Sequence, residues 1–446
     1  MESFINNLFQ EFGFFRQIGY VPVAAALMLF FCLLVLNFFG FVSGFLTFFE
    51  RKLAGWTNSR RGPNRVGPYG LLQFVADGIK LILKEDIIPA AADRNYFKFA
   101  PYLVLLGTAL SFVVIPFGPG WIISDLNVGI FYLIATGSFT VVGLIMAGWA
   151  SNNKWSLLGG MRSAAQIISY EIPNALAILV VVLSAGTMSI QGIIRAQSGG
   201  IHHWLMFNSP FGFLAFFIYS ISSIAEINRI PFDIPEAESE LVAGYNIEYS
   251  GMRFGAFFAA EFGNIYVVSA VAATCFLGGW QIPMVQNVEM LGPLGLAAGR
   301  FLSRPAVLGA LLVAALPLMY LAFKALRAFI RELRYKRTFW GSRFVRLNSE
   351  LPVLGLLFAS AAMFLVLHLP LRTRLPLIYQ LIFQYLLPFG SFFLKAMLIC
   401  FVVLWLRWTL PRLRVDQLMG VCWRYLIPLG FFCLIGQGVW MCLRNS

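Results

Sequence analysis

The sequence predicts an all-α integral membrane protein, a bundle of about ten transmembrane helices with amphipathic helices on the membrane surface at the cytoplasmic side. Hydrophobic residues make up 59% of the 446 residues and charged residues only 12%, so polar side chains are too few to cover a soluble globule of this length. Several apolar runs reach the ~20 residues that cross a bilayer core. These runs are continuous, without polar–apolar alternation, which favours helices over the strands of a barrel.

Ten segments have the composition of a membrane span. They lie at about residues 22–47, 99–117, 128–150, 164–186, 209–225, 254–278, 304–323, 351–370, 389–406 and 425–442. The first lacks a preceding basic region and a small-residue cleavage site, so it is interpreted as a retained helix rather than a signal peptide. The expected organisation is a membrane domain with six spans at 1–285, an insertion with two further apolar segments and a basic loop at 286–387, and the last two spans at 388–446.

The net charge of +13 follows from the predicted topology. If the N-terminus lies outside and every segment crosses, most Lys and Arg residues fall on the cytoplasmic side, as the positive-inside rule requires. No nucleic-acid partner is needed to explain them. A basic block at 324–350 is interpreted as a cytoplasmic flank that attracts anionic membrane lipid, with a contact to a partner protein as the alternative.

The sequence lacks the motifs of the common redox cofactors and nucleotides. The six cysteines lie mostly in apolar spans and form no CxxC pair, which argues against a disulfide framework, a zinc site or an iron–sulfur cluster. Neither a GxGxxG motif after a strand nor a GxxxxGK[ST] motif is present. His202 and His203 have no third ligand nearby in sequence, so they are interpreted as surface residues. We expect no flavin, iron–sulfur cluster or metal on this chain.

The cytoplasmic stretch after the first span combines basic residues with backbone constraints. The run RRGPNRVGPYG at 60–70 contains Gly and Pro residues that restrict or specially bend the backbone, so its arginines are expected on a fixed loop. The following segment, 71–86, places Asp77, Lys80 and Lys84 on one helical face and apolar residues on the other. This pattern predicts a helix that lies along the membrane surface or beneath the bundle.

A charge within a predicted span costs ~2.5–3.5 kcal/mol on insertion scales, and Glu171, Glu261 and Lys395 are the clear cases. For Glu171, followed by Pro173, and for Glu261, a role in a proton path or a water-filled cavity is favoured over a purely structural hydrogen bond. Lys395 either keeps one of these carboxylates ionised or itself becomes neutral.

The segment 225–251, AEINRIPFDIPEAESELVAGYNIEYSG, is unusually acidic for the edge of a membrane span. Its acids are Glu226, Asp233, Glu236, Glu238, Glu240 and Glu248. An ordinary solvated cytoplasmic loop would carry several bases, whereas 226–253 has only Arg229 and Arg253. Mutual repulsion raises the proton affinity of such a cluster. The composition indicates a proton relay or the acidic wall of a polar funnel.

Four long motifs resemble one family, the membrane protein that forms the quinone site of respiratory complex I, called the H subunit in bacteria and subunit 1 in mitochondria. They are GPNRVGPYGLLQFVADGIKLILKED, ISYEIPNAL, AEINRIPFDIPEAESELVAGYNIEYSGMRFGAFFAAEF and LRWTLPRLRVDQLM. The resemblance covers about residues 15–285 and 388–442. It implies a component of a bacterial inner membrane whose partners are hydrophilic quinone-site subunits and small membrane subunits. Its substrate would be ubiquinone or menaquinone, reduced by electrons from those partners.

The resemblance also implies roles for individual residues. The mouth of the quinone chamber would be surrounded by Glu50, Arg51, Lys52, Arg61 and Arg65. Phe232 and Asp233 would line the chamber. An acidic, hydrated path would start at Glu236, Glu238 and Glu240, with Glu226, Arg229 and Glu248 close by. Glu171 and Glu261 would continue this path into the membrane arm.

The chain departs from the family pattern after GGWQ at 278–281. The family usually has eight spans, and the last two normally follow closely after this motif. Here roughly 100 residues lie between the motif and the last two spans. Packing of this insertion against a lineage-specific subunit is a hypothesis. Two other functions stay open at this point. One is the homologous component of a hydrogenase-type ion pump that uses no quinone. The other is a stand-alone secondary transporter, although the expected inverted repeats are not evident.

Overall fold

A computed structural model describes residues 20–235, 243–283 and 382–445, with two single positions at Pro293 and Ala297. The helices within them are α1 Tyr20–Thr57, α2 Gln73–Leu83, α3 Arg94–Ser111, α4 Gly129–Ala150, α5 Lys154–Ala185, α6 Ile190–Ala196, α7 Leu205–Asn208, α8 Pro210–Glu226, α9 Gly251–Phe276, α10 Leu387–Thr409, α11 Val415–Val421 and α12 Ile427–Asn445. Short π-helical turns, Ile382–Leu386 and Cys422–Leu426, precede α10 and α12. In these ranges the only extended pairing is an isolated bridge between Gly118 and Trp121.

The all-α membrane prediction is confirmed. Six helical stretches in the described residues are long and apolar enough to cross a membrane: Leu29–Thr57, Gly129–Ala150, Lys154–Ala185, Gly251–Phe276, Ile382–Thr409 and Val415–Arg444. The shorter apolar helix α8 and the helix α3 occupy the predicted fifth and second spans. The predicted spans at 304–323 and 351–370 and the basic block at 324–350 lie outside the described residues, so the total of ten stays a prediction.

Apart from the turn Ile382–Leu386 and the first residue of α10, the described helices belong to one compact unit formed by residues 1–286 and 388–446. Small residues bring its central helices close together. A methyl group added at Gly107 of α3 would lie 2.7 Å from Thr140 Oγ1 of α4, and one at Gly143 would lie 2.5 Å from a methyl carbon of Val104. Such close packing is the usual basis of helix association in membranes, where apolar burial gives no driving force. The second unit, 287–387, lies almost entirely outside the described residues, and the predicted insertion with it.

The amphipathic helix predicted after the arginine loop is α2. Its inner side faces α1, where the ring of Phe74 packs edge-on to Phe41 with 6.0 Å between centroids. No residue of α2 is buried, and Val75, Ile79 and Ile82 are exposed apolar side chains. Asp77 pairs with Arg51 of α1. This arrangement fits a helix at the membrane surface whose free apolar side contacts lipid.

Lys395 of α10 caps the C-terminal end of α9. Its Nζ donates to the backbone carbonyls of Leu277, Gly279 and Gln281 at 2.8, 3.0 and 2.6 Å. It also lies 4.3 Å from the ring centroid of Trp204. Carbonyls at a helix end have no partner within the helix, and a cation there is favourable. In the described part of the chain Lys395 therefore contacts carbonyls, not the intramembrane carboxylate considered from the sequence.

Replacing Lys395 by Met should destabilise the protein by about 2 kcal/mol, because hydrogen bonds to a charged donor disappear and carbonyls are left unsatisfied. Thermal unfolding of the purified assembly measures this. Ser391→Ala is the matched control, since its hydroxyl makes one longer bond to the carbonyl of Gln281, at 3.4 Å. Equal unfolding temperatures for Lys395→Met and the unmodified protein would contradict the capping role.

Candidate functional site

A buried cluster of charged side chains joins four segments that are distant in sequence. Arg229, in the loop after α8, lies between Glu50 of α1 and Glu261 of α9. Its Nε is 2.6 Å from Glu261 Oε1, and its Nη1 is 3.2 Å from Glu50 Oε2. Arg407 of α10 pairs with the same carboxylate of Glu50. Arg229 is 3% exposed and Glu50 is 6% exposed, so these charges rely on each other rather than on water.

The guanidinium of Arg229 is held from three sides. Besides the two carboxylates, its Cζ lies 4.4 Å from the ring centroid of Phe262. The contact to Glu261 is a close ion pair without hydrogen-bond alignment at Nε. An arginine suits such a position because its charge is delocalised over a planar group that both pairs with carboxylates and stacks on rings.

Neighbouring helices fix the backbone of this loop. The side-chain amide of Gln166 on α5 donates to the carbonyls of Ala225 and Phe232, at 2.7 and 2.5 Å. Asn228, whose φ of 57° is unusual for a residue other than glycine, donates to Ser163 Oγ at 3.1 Å. The loop is thus tied to α5 at both ends, which holds the intervening Arg229 in place.

The segment between α10 and α11 covers the other side of the same loop. Arg412 pairs with the buried Asp233 at 3.1 Å, and the backbone N–H of Leu413 donates to the carbonyl of Pro231 at 3.1 Å. Phe232 packs against Tyr170, with 5.7 Å between ring centroids. The residues predicted to line the quinone chamber, Phe232 and Asp233, are therefore both buried beside this segment.

The predicted mouth residues lie around the C-terminal end of α1. A cavity of about 330 Å³ is lined there by Glu50, Arg51, Ala54, Arg60, Arg61, Gly62, Pro63 and Trp408. Lys52 is half-buried, with its Nζ 5.8 Å from the ring centroid of Phe48. Arg65 is exposed on the same arginine loop. The structure thus brings Glu50, Arg51 and Arg61 to one cavity, whose lining does not include Arg65.

A second, polar cavity of about 60 Å³ lies between α3, α4, α5, α8 and α9. It is lined by both Glu171 of α5 and Glu226 at the end of α8. Asn174 also lines it, and the Asn174 Nδ2 donates to Glu226 Oε2 at 2.6 Å. One water molecule needs roughly 10–15 Å³ of free volume in a cavity, so this cavity has room for a few water molecules.

The structure separates two residues that the sequence placed on one path. Glu171 borders the polar cavity, whereas Glu261 lies in the ion cluster with Arg229. Glu226 and Arg229 are only three positions apart, so the loop after α8 connects the cavity with the cluster. Glu248 is elsewhere and accepts a hydrogen bond from Asn153 Nδ2 at 2.7 Å. Glu236, Glu238 and Glu240 lie outside the described residues.

Sequence reasoning missed three residues of the site. Arg407 and Arg412 stand in the motif LRWTLPRLRVDQLM, which supported the resemblance but was not assigned a role in the site. Their partners Glu50 and Asp233 are more than 170 positions away. Asn174 stands three positions after Glu171, so helical spacing alone could have placed it on the same side of α5.

Comparisons with known proteins identify a family. The family model described as NADH dehydrogenase matches residues 29–351 and 349–437. The H subunit of NADH-quinone oxidoreductase from Anaeromyxobacter dehalogenans is 42% identical over 430 residues, 96% of this chain and 85% of the relative. The same protein of Chlorobaculum tepidum is 39% identical, over 95% of this chain and 93% of the relative. That of Rhodospirillum rubrum is 47% identical, over 60% of this chain and 77% of the relative.

Replacing Arg229 by Met should destabilise the protein by about 3–5 kcal/mol, because two carboxylates lose a buried partner. The double variant Arg229→Met/Glu261→Gln should recover part of this loss, since one uncompensated charge is removed with it. Chemical unfolding of the assembly in detergent measures both.

Arg51→Met is the matched control, because its pair with Asp77 is solvent-exposed and should contribute no more than about 1 kcal/mol. If Arg229→Met is as mild as Arg51→Met, the cluster does not hold the site together.

Proposed function

The chain belongs to the NADH dehydrogenase family of membrane subunits, with the H subunits of NADH-quinone oxidoreductases as its relatives, and from this premise we propose that it forms the quinone chamber and the entry of the proton path. Electrons come from partner subunits, and each turnover adds two electrons and two protons to a quinone, giving a quinol. The observation that carries the proposal is the position of Arg229. It pairs with the buried carboxylate of Glu50 and with the carboxylate of Glu261, and it lies three residues after Glu226, which borders the polar cavity.

The quinone chamber is proposed on the cytoplasmic side, around Glu50 and the loop 227–235. In support, Glu50 borders the cavity that also contains Arg61 and Trp408. It is at the same time an ion-pair partner of Arg229 and Arg407. Cationic groups beside a quinone stabilise the negative charge that arises on its oxygens as electrons arrive. Glu50 pairs with both Arg229 and Arg407. A negatively charged, reduced quinone can compete with this carboxylate for the two arginines.

The proton path is proposed to begin in the acidic segment and to run through Glu226 to Glu171. In support, both carboxylates border one cavity with room for water, and water-mediated contacts link polar groups nearly as well as direct ones. Glu236, Glu238, Glu240 and Glu248 are proposed to supply protons from the cytoplasmic side. Asp233 is proposed to belong to the chamber wall, where it pairs with Arg412.

The proposed link between the two processes is electrostatic. Negative charge that forms on the quinone attracts Arg229 and Arg407, and this changes the electrostatic potential along the loop 227–235. Because Glu226 and Arg229 belong to one short, tied segment, that change alters the proton affinity of the carboxylates behind it. Glu261 is an immediate partner of Arg229. We propose that it compensates this change in potential as a counter-charge and is not a member of the water-lined path.

Two alternative functions have less support. The relatives compared above are named as quinone oxidoreductase subunits, which favours quinone over the hydrogenase-type pump. The family match likewise argues against a stand-alone transporter. For the inserted segment 286–387 we propose a packing role against a lineage-specific subunit of the assembly. The quinone is proposed to be ubiquinone or menaquinone, and the membrane to be a bacterial inner membrane with the N-terminus outside.

Glu226→Gln should lower NADH-driven quinone reduction about ten- to a hundredfold, because a proton donor and acceptor is lost from the path. NADH oxidation by an artificial acceptor, which bypasses the quinone, should stay normal. Asp125→Asn removes the same charge from the loop before α4, where Asp125 contacts Ser189, and should leave both rates unchanged. Full quinone activity in Glu226→Gln would refute the proposed path.

Glu238→Gln or Glu240→Gln should also lower quinone-linked turnover while NADH oxidation by the artificial acceptor continues, since the acidic segment is proposed to feed the path. The two rates are compared in membranes with equal amounts of assembled complex. Unchanged quinone reduction in both variants would remove the acidic segment from the path without affecting the case for Glu226.

A further inference from the structure

Asn174 is a polar side chain of α5 that contacts a carboxylate of the proposed path, and neither composition nor resemblance assigned it a role. It follows Glu171 by three positions, so both side chains leave the same side of the helix. Both border the polar cavity. Its Nδ2 donates to Glu226 Oε2 at 2.6 Å, a short, direct contact between the two side chains.

The other end of the same amide is unsatisfied by protein. Asn174 is 9% exposed, and its Oδ1 has no hydrogen-bond partner in the described part of the chain. A buried amide oxygen without a partner is costly, and polar cavities of this size ordinarily meet that cost with water. Asn174 thus presents a donor to Glu226 and an acceptor to the cavity between Glu226 and Glu171.

We propose that Asn174 is a positioning residue for proton transfer, which fixes the carboxylate of Glu226 through its N–H and orients a cavity water through its carbonyl oxygen. This inference rests on the proposed function. An amide cannot itself carry the proton under these conditions, so its contribution is geometric. It aligns the acceptor and the intervening water, and a proton moves efficiently only between groups within hydrogen-bond reach.

Besides Asn174, the cavity is bordered by the uncharged polar residues Ser111, Thr140 and Asn264 and by three titratable residues. Its titratable lining residues are Glu171, Glu226 and Tyr219, and the lining residues contributed by α3, α4 and α9 are uncharged. The hydroxyl of Tyr219 already donates to the carbonyl of Val268 at 2.9 Å. Within the described residues, the side-chain hydrogen bond to Glu226 comes from the N–H of Asn174.

The decisive variants are Asn174→Leu and Asn174→Asp, tested in the assembled complex. Asn174→Leu keeps the approximate size and removes both polar atoms. The kcat of quinone reduction should fall about tenfold, the KM for quinone should stay unchanged, and the solvent deuterium isotope effect should increase. Asn174→Asp should be impaired at neutral and alkaline pH and should recover towards acid pH, where a protonated carboxyl can again donate to Glu226.

Gln437→Leu is the matched control. Gln437 is another buried side-chain amide, on α12, whose oxygen accepts from the hydroxyl of Ser209 at 2.6 Å rather than facing a carboxylate. Its removal should lower the unfolding temperature without changing kcat or the isotope effect. A purely structural Asn174 would behave in the same way, with less assembled complex but normal turnover per complex, and that result would overturn the inference.

The role of Asn174 and the proposed path can fail separately. If Glu226→Gln is inactive and Asn174→Leu has normal turnover and a normal isotope effect, only the role of Asn174 is refuted. If Glu226→Gln is itself fully active, the proposed path is refuted whatever Asn174 does. Recovery of kcat per assembled complex in Asn174→Asp at acid pH would support the positioning role, because carboxylate repulsion that acts only on stability changes the amount of complex and not its turnover.

Discussion

The site depends on one constraint, a guanidinium buried at 3% exposure that must be balanced by carboxylates from other helices. Arg229 meets Glu50 and Glu261, and Glu50 in turn meets Arg407. Removing a charge from water costs several kcal/mol, and only close, well-placed partners return that free energy. The loop after α8 and the helices α1, α9 and α10 are therefore held in one relative arrangement by their charges.

That arrangement places two different environments next to each other. On one side of the loop, charges neutralise each other in a packed cluster that borders the cavity at the C-terminal end of α1. On the other, Glu226 faces a small polar cavity shared with Glu171. Gln166 and Arg412 hold in place the loop that separates these two environments. At the far end of α9, Lys395 provides a separate anchor through backbone carbonyls.

Much of this organisation follows from the sequence, and the remainder depends on long-range contacts. Apolar run length predicted the described spans because the bilayer leaves few alternatives. The cost of intramembrane charge singles out Glu171 and Glu261, and the shortage of bases singles out the acidic segment; the roles of these residues stay predictions. The partners of these charged residues were not predictable from the sequence. Arg407 pairs with Glu50 across most of the length of the chain, and Lys395 contacts backbone carbonyls at 277–281, which no side-chain pattern marks. Local spacing carries no information on such pairs.

The most direct test of the central claim is infrared difference spectroscopy of the assembled complex, recorded between oxidised quinone and quinol. If charge at the quinone changes the proton affinity of the carboxylates behind Arg229, reduction should produce a carboxylic acid band that disappears in Glu226→Gln. The same band should shift when the glutamates carry ¹³C. A difference spectrum with no carboxyl change, or one identical in Glu226→Gln, would contradict the electrostatic link.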